Sequence, residues 1–291
     1  MTAMGERSTG VKGSFSLNVL FGGVSFALTR SFMAPIEIID HRTRYPGAKG
    51  KRLSDILKDI YQEKGIKSFW KQNFTNVRKG FLWQALNLAF NDKLLAVFNH
   101  YDPRTEFGKF MFCNLISGGT AGVITLAILF PSYSFKLKKL DLSKPPKPKI
   151  IRVLYKGFAV SAFEHFYYRT LYLGGFETLK GTVMTTDSPV ITKLLWALVA
   201  TATANFLHYP IYVVRNHLTL SPYAIEDENT FKGLIDGFAK MMRNEGFGVF
   251  FKKNGSYNLF IDHVLRSGAA GALTLVFYNE LQLHFAQTFK H

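Results

Sequence analysis

Three stretches of the sequence each place a proline near the end of an apolar segment, with polar residues just beyond it. They read MAPIEIIDHRTR around Pro35, LFPSYSFKLKKL around Pro131 and HYPIYVVRNHLTL around Pro210. The residue two positions after the proline is Glu37 in the first copy, Tyr133 in the second and Tyr212 in the third. A carboxylate there can pair with a base, whereas tyrosine can only form hydrogen bonds. The sequence therefore indicates three copies of one charged unit, of which only one keeps its acid.

The composition is both apolar and basic. Hydrophobic residues make up 47% of the 291 residues, charged residues make up only 19%, and the formal net charge is +16. Nucleic-acid binding would explain the charge but not the apolar content, whereas an anionic membrane or an anionic solute explains both. The sequence lacks a glycine-rich phosphate loop, a nucleophile motif and histidine–carboxylate metal spacings. We therefore expect no enzyme, no cofactor, no metal site and no nucleic-acid partner.

Six segments are long and apolar enough to be helices that cross a membrane, although polar residues interrupt each of them. They are residues 15–34, 74–98, 110–130, 157–180, 192–214 and 256–285. Interrupted spans of this kind usually bundle around a polar interior. We predict an all-α membrane protein with six transmembrane helices; the alternative is a soluble protein with buried helices.

The longer connections, residues 35–73, 131–156 and 210–255, carry most of the basic charge. An excess of Lys and Arg marks the side that is not translocated, so both termini are predicted on the opposite side.

The pairing of spans predicts a single domain, residues 1–291, built from three repeats: 15–98, 110–180 and 192–285. Repeat one contains the amphipathic segment 54–65, which ends at Gly65, and repeat three contains a similar segment, 231–246. In repeat two the corresponding place holds the proline-rich sequence SKPPKPK, which cannot be helical throughout.

This organisation resembles the mitochondrial carrier family, and within it the ADP/ATP carriers. The resemblance is carried by EKGIKSFWKQNFTNVRKGFLWQALNLAFNDK, NLISGGTAG, YKGFAVS, YRTLYLGGFETLKG and FGGVSFALTRSFMAPIE. It implies six tilted helices in three repeats around a central cavity, with short helices on the matrix side. It also implies a multi-pass protein of the mitochondrial inner membrane with both termini in the intermembrane space.

The resemblance assigns the charged residues after the prolines to a matrix-side gate, in which the acid of one repeat pairs with the base of the next. These residues are Glu37, Asp40, Lys136 and Arg215. Asp40 stands where the family has a base, and tyrosines replace the acids of repeats two and three. We expect one ordinary pair, Glu37 with Lys136, and a second between Arg215 and Asp40.

A second gate of the family faces the intermembrane space, and here Asp92, Glu177 and Lys180 match it. Leu95, Asn279 and Gln282 stand at its other positions. Both gates therefore carry fewer charges than the family pattern.

The resemblance also implies a set of substrate-binding residues in the cavity. They are Arg30, Lys79, Asn87, Tyr168, Arg169 and Tyr172. Clustered cations suit phosphate oxygens, but Glu164 and His165 replace the small residues that contact the nucleotide base in the family. A last cavity arginine aligns near Ser267, one position from Arg266.

Aromatic-base-glycine steps imply cardiolipin as a bound lipid, through Trp70, Tyr155, Lys156 and Gly157. Two functions fit the whole pattern. One is a structural or accessory subunit of a large inner-membrane, respiratory assembly, with impaired or no ADP/ATP exchange. The other is an active antiporter of adenine nucleotides or another anionic solute.

Overall fold

The computed structural model describes residues 14–43, 51–98, 100–138, 155, 158–185, 187–220, 234–246, 248, 250 and 259–288, and these ranges are almost wholly helical. In chain order the elements are α1 (Phe15–Thr43), α2 (Leu53–Lys64), a 3₁₀ helix (Gly65–Trp70), α3 (Asn73–Phe98), α4 (Phe107–Lys138), α5 (Phe158–Arg169), a π-helical turn (Thr170–Gly174), α6 (Gly175–Val183), α7 (Val190–Leu220), α8 (Leu234–Glu245) and α9 (Leu259–Thr288). The predicted all-α fold is confirmed, and each predicted span lies on one of the long helical segments.

Three of these helices are long and apolar enough to cross a membrane by length and composition alone. They are Phe15–Thr43, Phe107–Ser132 and Val190–Arg215, each the first helix of a predicted repeat. The second helix of each repeat buries polar side chains within the bundle, among them Asn87, Arg169 and Gln282. The interior of the bundle is therefore polar, as expected for helices interrupted by polar residues.

The prolines lie inside helices, not at helix ends: α1 continues past Pro35, α4 past Pro131 and α7 past Pro210. A proline in a helix leaves the carbonyl four residues earlier without its usual donor. The Trp70 indole donates to the carbonyl of Ser31 at 2.8 Å. The Tyr155 hydroxyl donates to the carbonyl of Ala127 at 3.0 Å. In the first two repeats an aromatic side chain thus satisfies the carbonyl that the proline leaves open.

The short helices pack on the segments that follow two of these prolines. Ile56 and Ile60 of α2 are buried against Ile38, three residues after Pro35. Met241 of α8 is likewise buried against Val214, four residues after Pro210. The amphipathic helices predicted in repeats one and three are therefore confirmed.

Both short helices end at a glycine with positive φ, Gly65 at 64° and Gly246 at 72°. This conformation favours glycine and stops each helix. The corresponding part of repeat two, including SKPPKPK, lies outside the described residues.

Close contact between α4 and the π-helical turn fixes the middle of the bundle. A Cβ added at Gly118 would lie 2.7 Å from the Arg169 carbonyl oxygen, and one at Gly174 would lie 2.5 Å from the Leu115 Cα. Glycines at these positions let the two backbones touch. The contact places Arg169 and Tyr172 on the wall of the central cavity. We call the end of the bundle that holds the three prolines the proline end, and the opposite end, where α1 begins and α9 ends, the terminal end.

Candidate functional site

A cavity of about 280 Å³ is lined by α1, α3, α5 with the π-helical turn, and α9. The residues that line it are Phe26, Thr29, Arg30, Glu37, Gly80, Trp83, Gln84, Tyr168, Arg169, Tyr172, Arg266, Ser267, Ala270, Gly271 and Thr274. Four of the six predicted substrate-binding residues are among them. The cavity contains three arginines and one carboxylate, so it favours an anionic ligand.

Arg169 is the most enclosed of the three cavity arginines, with 8% of its surface exposed. Its guanidinium carbon lies 5.5 Å from the ring centre of Tyr168 and 5.2 Å from that of Tyr172, so the cation rests against two aromatic rings. Its Nη2 lies 3.5 Å from Gln84 Oε1, and its buried Nε makes no hydrogen bond within the described part of the chain. Arg169 is thus positioned to bind an anion.

The other two cavity arginines are each paired with an acid that follows Pro35. Arg30 forms an ion pair with Glu37, two turns further along α1. The second oxygen of Glu37 accepts a hydrogen bond from Asn76 at 3.1 Å. Arg266 lies 3.7 Å from Asp40, which joins α9 to α1. Both arginines therefore have carboxylate partners without any ligand.

Glu164 lies in a buried cluster beside the cavity, with 5% of its surface exposed. Its oxygens lie 2.9 Å from His208 Nε2 and 2.8 Å from His165 Nδ1. Arg215 Nε is 3.8 Å from the same carboxylate. A buried carboxylate is costly unless it is paired, and these contacts supply the pairing.

The proline end therefore differs from the predicted matrix-side gate in its partners. The second expected pair was Arg215 with Asp40, but the pairs found are Arg215 with Glu164 and Asp40 with Arg266. The reason is proximity: α5 lies beside α7, and α9 lies beside α1. The side chain of Lys136 lies outside the described residues, so its pairing with Glu37 stays a prediction.

At the terminal end, hydrogen bonds to one carboxylate join α3 to α9. Asp92 Oδ2 accepts from the Tyr278 hydroxyl and from the Gln282 amide, each at 2.6 Å. Gln282 also donates to Asn18 of α1 at 3.4 Å. Gln282 stands where the family pattern has a base, and its neutral amide donates a hydrogen bond to Asp92.

Two further ion pairs lie at the terminal end. Lys180 pairs with Glu177 at 3.1 Å within α6, and Lys193 of α7 pairs with Glu280 of α9 at 2.8 Å. Asp92, Glu177 and Lys180 were predicted from the sequence. The contributions of Tyr278, Gln282 and Lys193 were missed, because they depend on which helices are neighbours and on no local motif.

The two remaining predicted substrate-binding residues lie elsewhere. Lys79 is exposed and does not line the cavity. Asn87 is fully buried inside the bundle, and its amide makes no hydrogen bond within the described part of the chain. Arg266 and Ser267 both line the cavity, so the uncertain alignment there does not change the placement of the third arginine.

The predicted lipid-binding residues are only partly described. Trp70 and Tyr155 satisfy carbonyls near the prolines, and the Tyr155 ring packs 5.7 Å from Phe130 and 5.5 Å from Phe158. Lys156 and Gly157 lie outside the described residues.

The sequence profile of the family described as mitochondrial carrier protein matches residues 11–102 and 186–289. The chain belongs to the mitochondrial carrier family. The family and the carrier fold that the resemblance implies are thereby confirmed. Residues 103–185, which include all of predicted repeat two, fall outside the profile's matches.

Relatives at about one-third identity cover nearly the whole chain. The chain is 31% identical to ADP/ATP translocase 4 of Mus musculus, over 92% of this chain and 90% of the relative. It is 32% identical to ADP/ATP translocase 3 of Bos taurus, over 92% and 97%. It is also 32% identical to the ADP,ATP carrier protein of Parachlorella kessleri, over 92% and 85%.

Proposed function

We propose that this mitochondrial carrier serves as a structural or accessory subunit of a large inner-membrane, respiratory assembly and exchanges ADP for ATP poorly or not at all. The observation that carries the proposal is the pairing of cavity and gate charges with one another. Arg30 and Arg266 are paired with Glu37 and Asp40, and Arg215 is paired with Glu164. In this proposal both termini face the intermembrane space.

Exchange of a nucleotide would require these ion pairs to separate both when the nucleotide binds and when the gates open. The phosphates need unpaired cations in the cavity, and gate charges must change partners as the cavity opens to either side. Carboxylates beside Arg30 and Arg266 compete with a phosphate for the same donors. The Arg30–Glu37 and Arg266–Asp40 pairs are partly exposed, and ion pairs that water reaches contribute only about 0–1 kcal/mol each. The Glu164 pairs are buried and cost more to separate.

An accessory role would not require these pairs to separate. The contacts that maintain the fold are present: the satisfied carbonyls at Ser31 and Ala127 and the close glycine packing of α4. Cardiolipin bound at the aromatic-base-glycine steps, and neighbouring subunits of the assembly, would be its partners.

The alternative function is antiport of adenine nucleotides or another anionic solute. Arg169 favours it, because this arginine rests against Tyr168 and Tyr172 on the cavity wall and has no carboxylate partner among the described side chains.

Two experiments together test the proposal. Mitochondrial membranes would be extracted with a mild detergent, and the native complexes separated by size and probed for this chain. We expect most of the chain to migrate with a respiratory assembly. Migration of nearly all of it as a single 32.9 kDa chain in its micelle would contradict the subunit role.

In parallel, the purified protein would be placed in liposomes loaded with ADP, and uptake of labelled ADP measured beside bovine ADP/ATP translocase 3. We expect uptake close to that of protein-free liposomes. Robust uptake that is lost in Arg169→Gln, but kept in the matched surface variant Arg104→Gln, would favour the antiporter.

A further inference from the structure

The Glu164 cluster contains a nitrogen positioned to accept a proton. His208 is 3% exposed, and its Nε2 lies 2.9 Å from a Glu164 oxygen. A carboxylate only accepts hydrogen bonds, so Nε2 carries the hydrogen and the lone pair of the ring lies on Nδ1. His208 Nδ1 is buried and makes no hydrogen bond to any described side chain or backbone group. A second proton on this ring would therefore be placed on Nδ1, while the carboxylate at Nε2 stabilises the imidazolium.

Three helices surround the His208 ring. From α5, Glu164 contacts it and the Tyr168 ring lies 4.6 Å from it. From α7, Tyr212 lies 6.1 Å away and Arg215 lies on the far side of the carboxylate. From α9, the ring of His263 lies 6.1 Å away.

The charges around His208 nearly cancel. Glu164 and Arg215 offset each other, so proton uptake at His208 gives the cluster a net positive charge.

His165 is held differently. Its Nδ1 lies 2.8 Å from the Ser161 carbonyl oxygen and 2.8 Å from Glu164. Both neighbours accept hydrogen bonds, so this nitrogen carries the hydrogen. The ring also packs against Trp83, with centres 5.1 Å apart. His165 thus orients the carboxylate, whereas His208 Nδ1 is a buried acceptor on the ring that contacts the carboxylate directly.

The cluster and the cavity share one wall residue. The Tyr168 ring lies 4.6 Å from the His208 ring and 5.5 Å from the guanidinium carbon of Arg169, and it lines the cavity. A positive charge at His208 therefore lies close to the ring that also contacts Arg169. An anion bound at Arg169 would therefore experience the charge of His208 across a poorly solvated layer, where electrostatic effects are strong.

We propose that the cavity binds a small dianion at Arg169 together with one proton, and that His208 Nδ1 is the proton-binding atom. Bound anion stabilises the imidazolium, and the imidazolium strengthens anion binding, because linkage between two sites is reciprocal. The proton comes from solvent and returns to it when the anion leaves, so no bond other than N–H is made or broken. The proposal concerns binding alone and holds for an accessory subunit or an antiporter.

The test uses an anion whose own charge is constant, benzene-1,3-disulfonate, titrated into the full-length purified protein by isothermal calorimetry. Titrations in two buffers with different ionisation enthalpies give the number of protons taken up per anion. We expect proton uptake on binding, and an affinity that is about five- to 150-fold higher at about pH 6 than at about pH 8.

His208→Gln keeps a donor for Glu164 but cannot titrate, so it should abolish the proton uptake and flatten the pH dependence. His284→Gln, which removes an exposed imidazole at the other end of α9, should leave both unchanged. Arg169→Gln should remove the binding itself. The proposal is overturned by pH-independent binding, by binding that survives in Arg169→Gln, or by proton uptake that persists in His208→Gln.

If His208→Gln fails to fold, a second variant tests whether the proton binds in the Glu164 cluster. Glu164→Gln removes the charge that stabilises the imidazolium, so the pH at which affinity changes should move downward. An unchanged midpoint in Glu164→Gln would assign the proton to another group, and loss of uptake in His165→Gln or His263→Gln alone would do the same. If this test fails, the proposed subunit role and the antiport alternative are unaffected, because native separation and ADP uptake test them separately.

Discussion

The two ends of the helical bundle replace the repeated ion pairs of the carrier family in different ways. At the terminal end, the acid Asp92 is kept and neutral groups, Tyr278 and Gln282, donate to it across the bundle. At the proline end, charges are kept but have new partners: Asp40 contacts Arg266 and Arg215 contacts Glu164. The terminal end thus has hydrogen bonds in place of ion pairs, whereas the proline end has ion pairs between different partners.

Two helices can therefore remain in contact when hydrogen bonds replace the ion pair of the family pattern. At the terminal end, a glutamine amide and a tyrosine hydroxyl satisfy the carboxylate of Asp92, so the α3–α9 contact is made without a second charge. The proline end depends on burying Glu164 among two histidines and an arginine, which is stable only while all partners are present. Substitutions should therefore be tolerated less well at the proline end.

The largest effect is expected at Glu164. Glu164→Ala leaves His208 and Arg215 without their shared carboxylate, and breaking a buried pair in this way costs about 3–5 kcal/mol. Thermal unfolding of the purified protein in detergent, followed by a thiol-independent fluorescence signal, measures the loss. Glu106→Ala removes an exposed pair with Lys109 and should cost about 0–1 kcal/mol. Equal shifts in the two variants would show that the cluster does not stabilise the proline end.

The contact midway between the two ends provides the next test. A Cβ at Gly174 would overlap the backbone of α4, whereas a Cβ at Gly175 meets nothing within 4 Å. We expect Gly174→Ala to destabilise the protein by about 1–3 kcal/mol through overpacking. Gly175→Ala should be neutral or stabilising, because alanine favours helix. Similar melting temperatures for the two variants would contradict the close packing of α4 against the π-helical turn.

At the terminal end, Gln282→Leu should cost about 1–3 kcal/mol, because it removes one of the donors to the partly buried carboxylate of Asp92. Gln282→Lys places a charge beside Asp92 and should restore or exceed the original stability. Gln287→Leu, at an exposed position of the same helix, is the matched control. If Gln282→Leu and Gln287→Leu have the same melting temperature, the hydrogen bond from Gln282 to Asp92 does not stabilise the terminal end.

The smallest expected effect on stability comes from protonation of Glu63, an exposed residue of α2. Hydrogen bonds from Lys71 and then Arg42 lower the pKa of this carboxyl from its ordinary value of 4.5. A lowered folded-state pKa stabilises the fold above the unfolded-state pKa, and the contribution is lost as the pH falls through the folded-state value. The protection of α2 amides from hydrogen exchange, corrected for the pH dependence of the intrinsic exchange rate, should therefore fall below about pH 4.5, the ordinary value for such a carboxyl.

Glu63→Gln should remove this response of α2 to acid, while Glu106→Gln should keep it. An acid response that is the same in both variants would assign it to another group.

Much of the fold could be predicted because it depends on local signals. Apolar length located the spans, and Gly65 and Gly246 marked the ends of the short helices, where positive φ requires glycine. The prolines were placed near the ends of the apolar spans, but the sequence did not indicate that the helices continue well past them. The aromatic partners of the open carbonyls were not predicted, since Trp70 and Ser31 are 39 residues apart.

The site was predictable only in its residue types. Arg30, Tyr168, Arg169 and Tyr172 line the cavity as the family pattern implies. The partners of Asp40 and Arg215 could not be read from the sequence, because an ion pair is set by which helices are neighbours and by the reach of long side chains. His208 carried no motif of its own, and its role emerged only from its contact with Glu164.

The hydrogen bond from Trp70 to Ser31 has a consequence for the order of assembly. Pro35 in α1 leaves a carbonyl that is satisfied by a residue made 39 positions later, after α2 and most of the 3₁₀ helix. A nascent chain that has inserted only α1 holds an unsatisfied polar group, which is costly in lipid. The segment of α1 around Pro35 should therefore become stable only once the chain has been made as far as Trp70, late in the insertion of the first repeat.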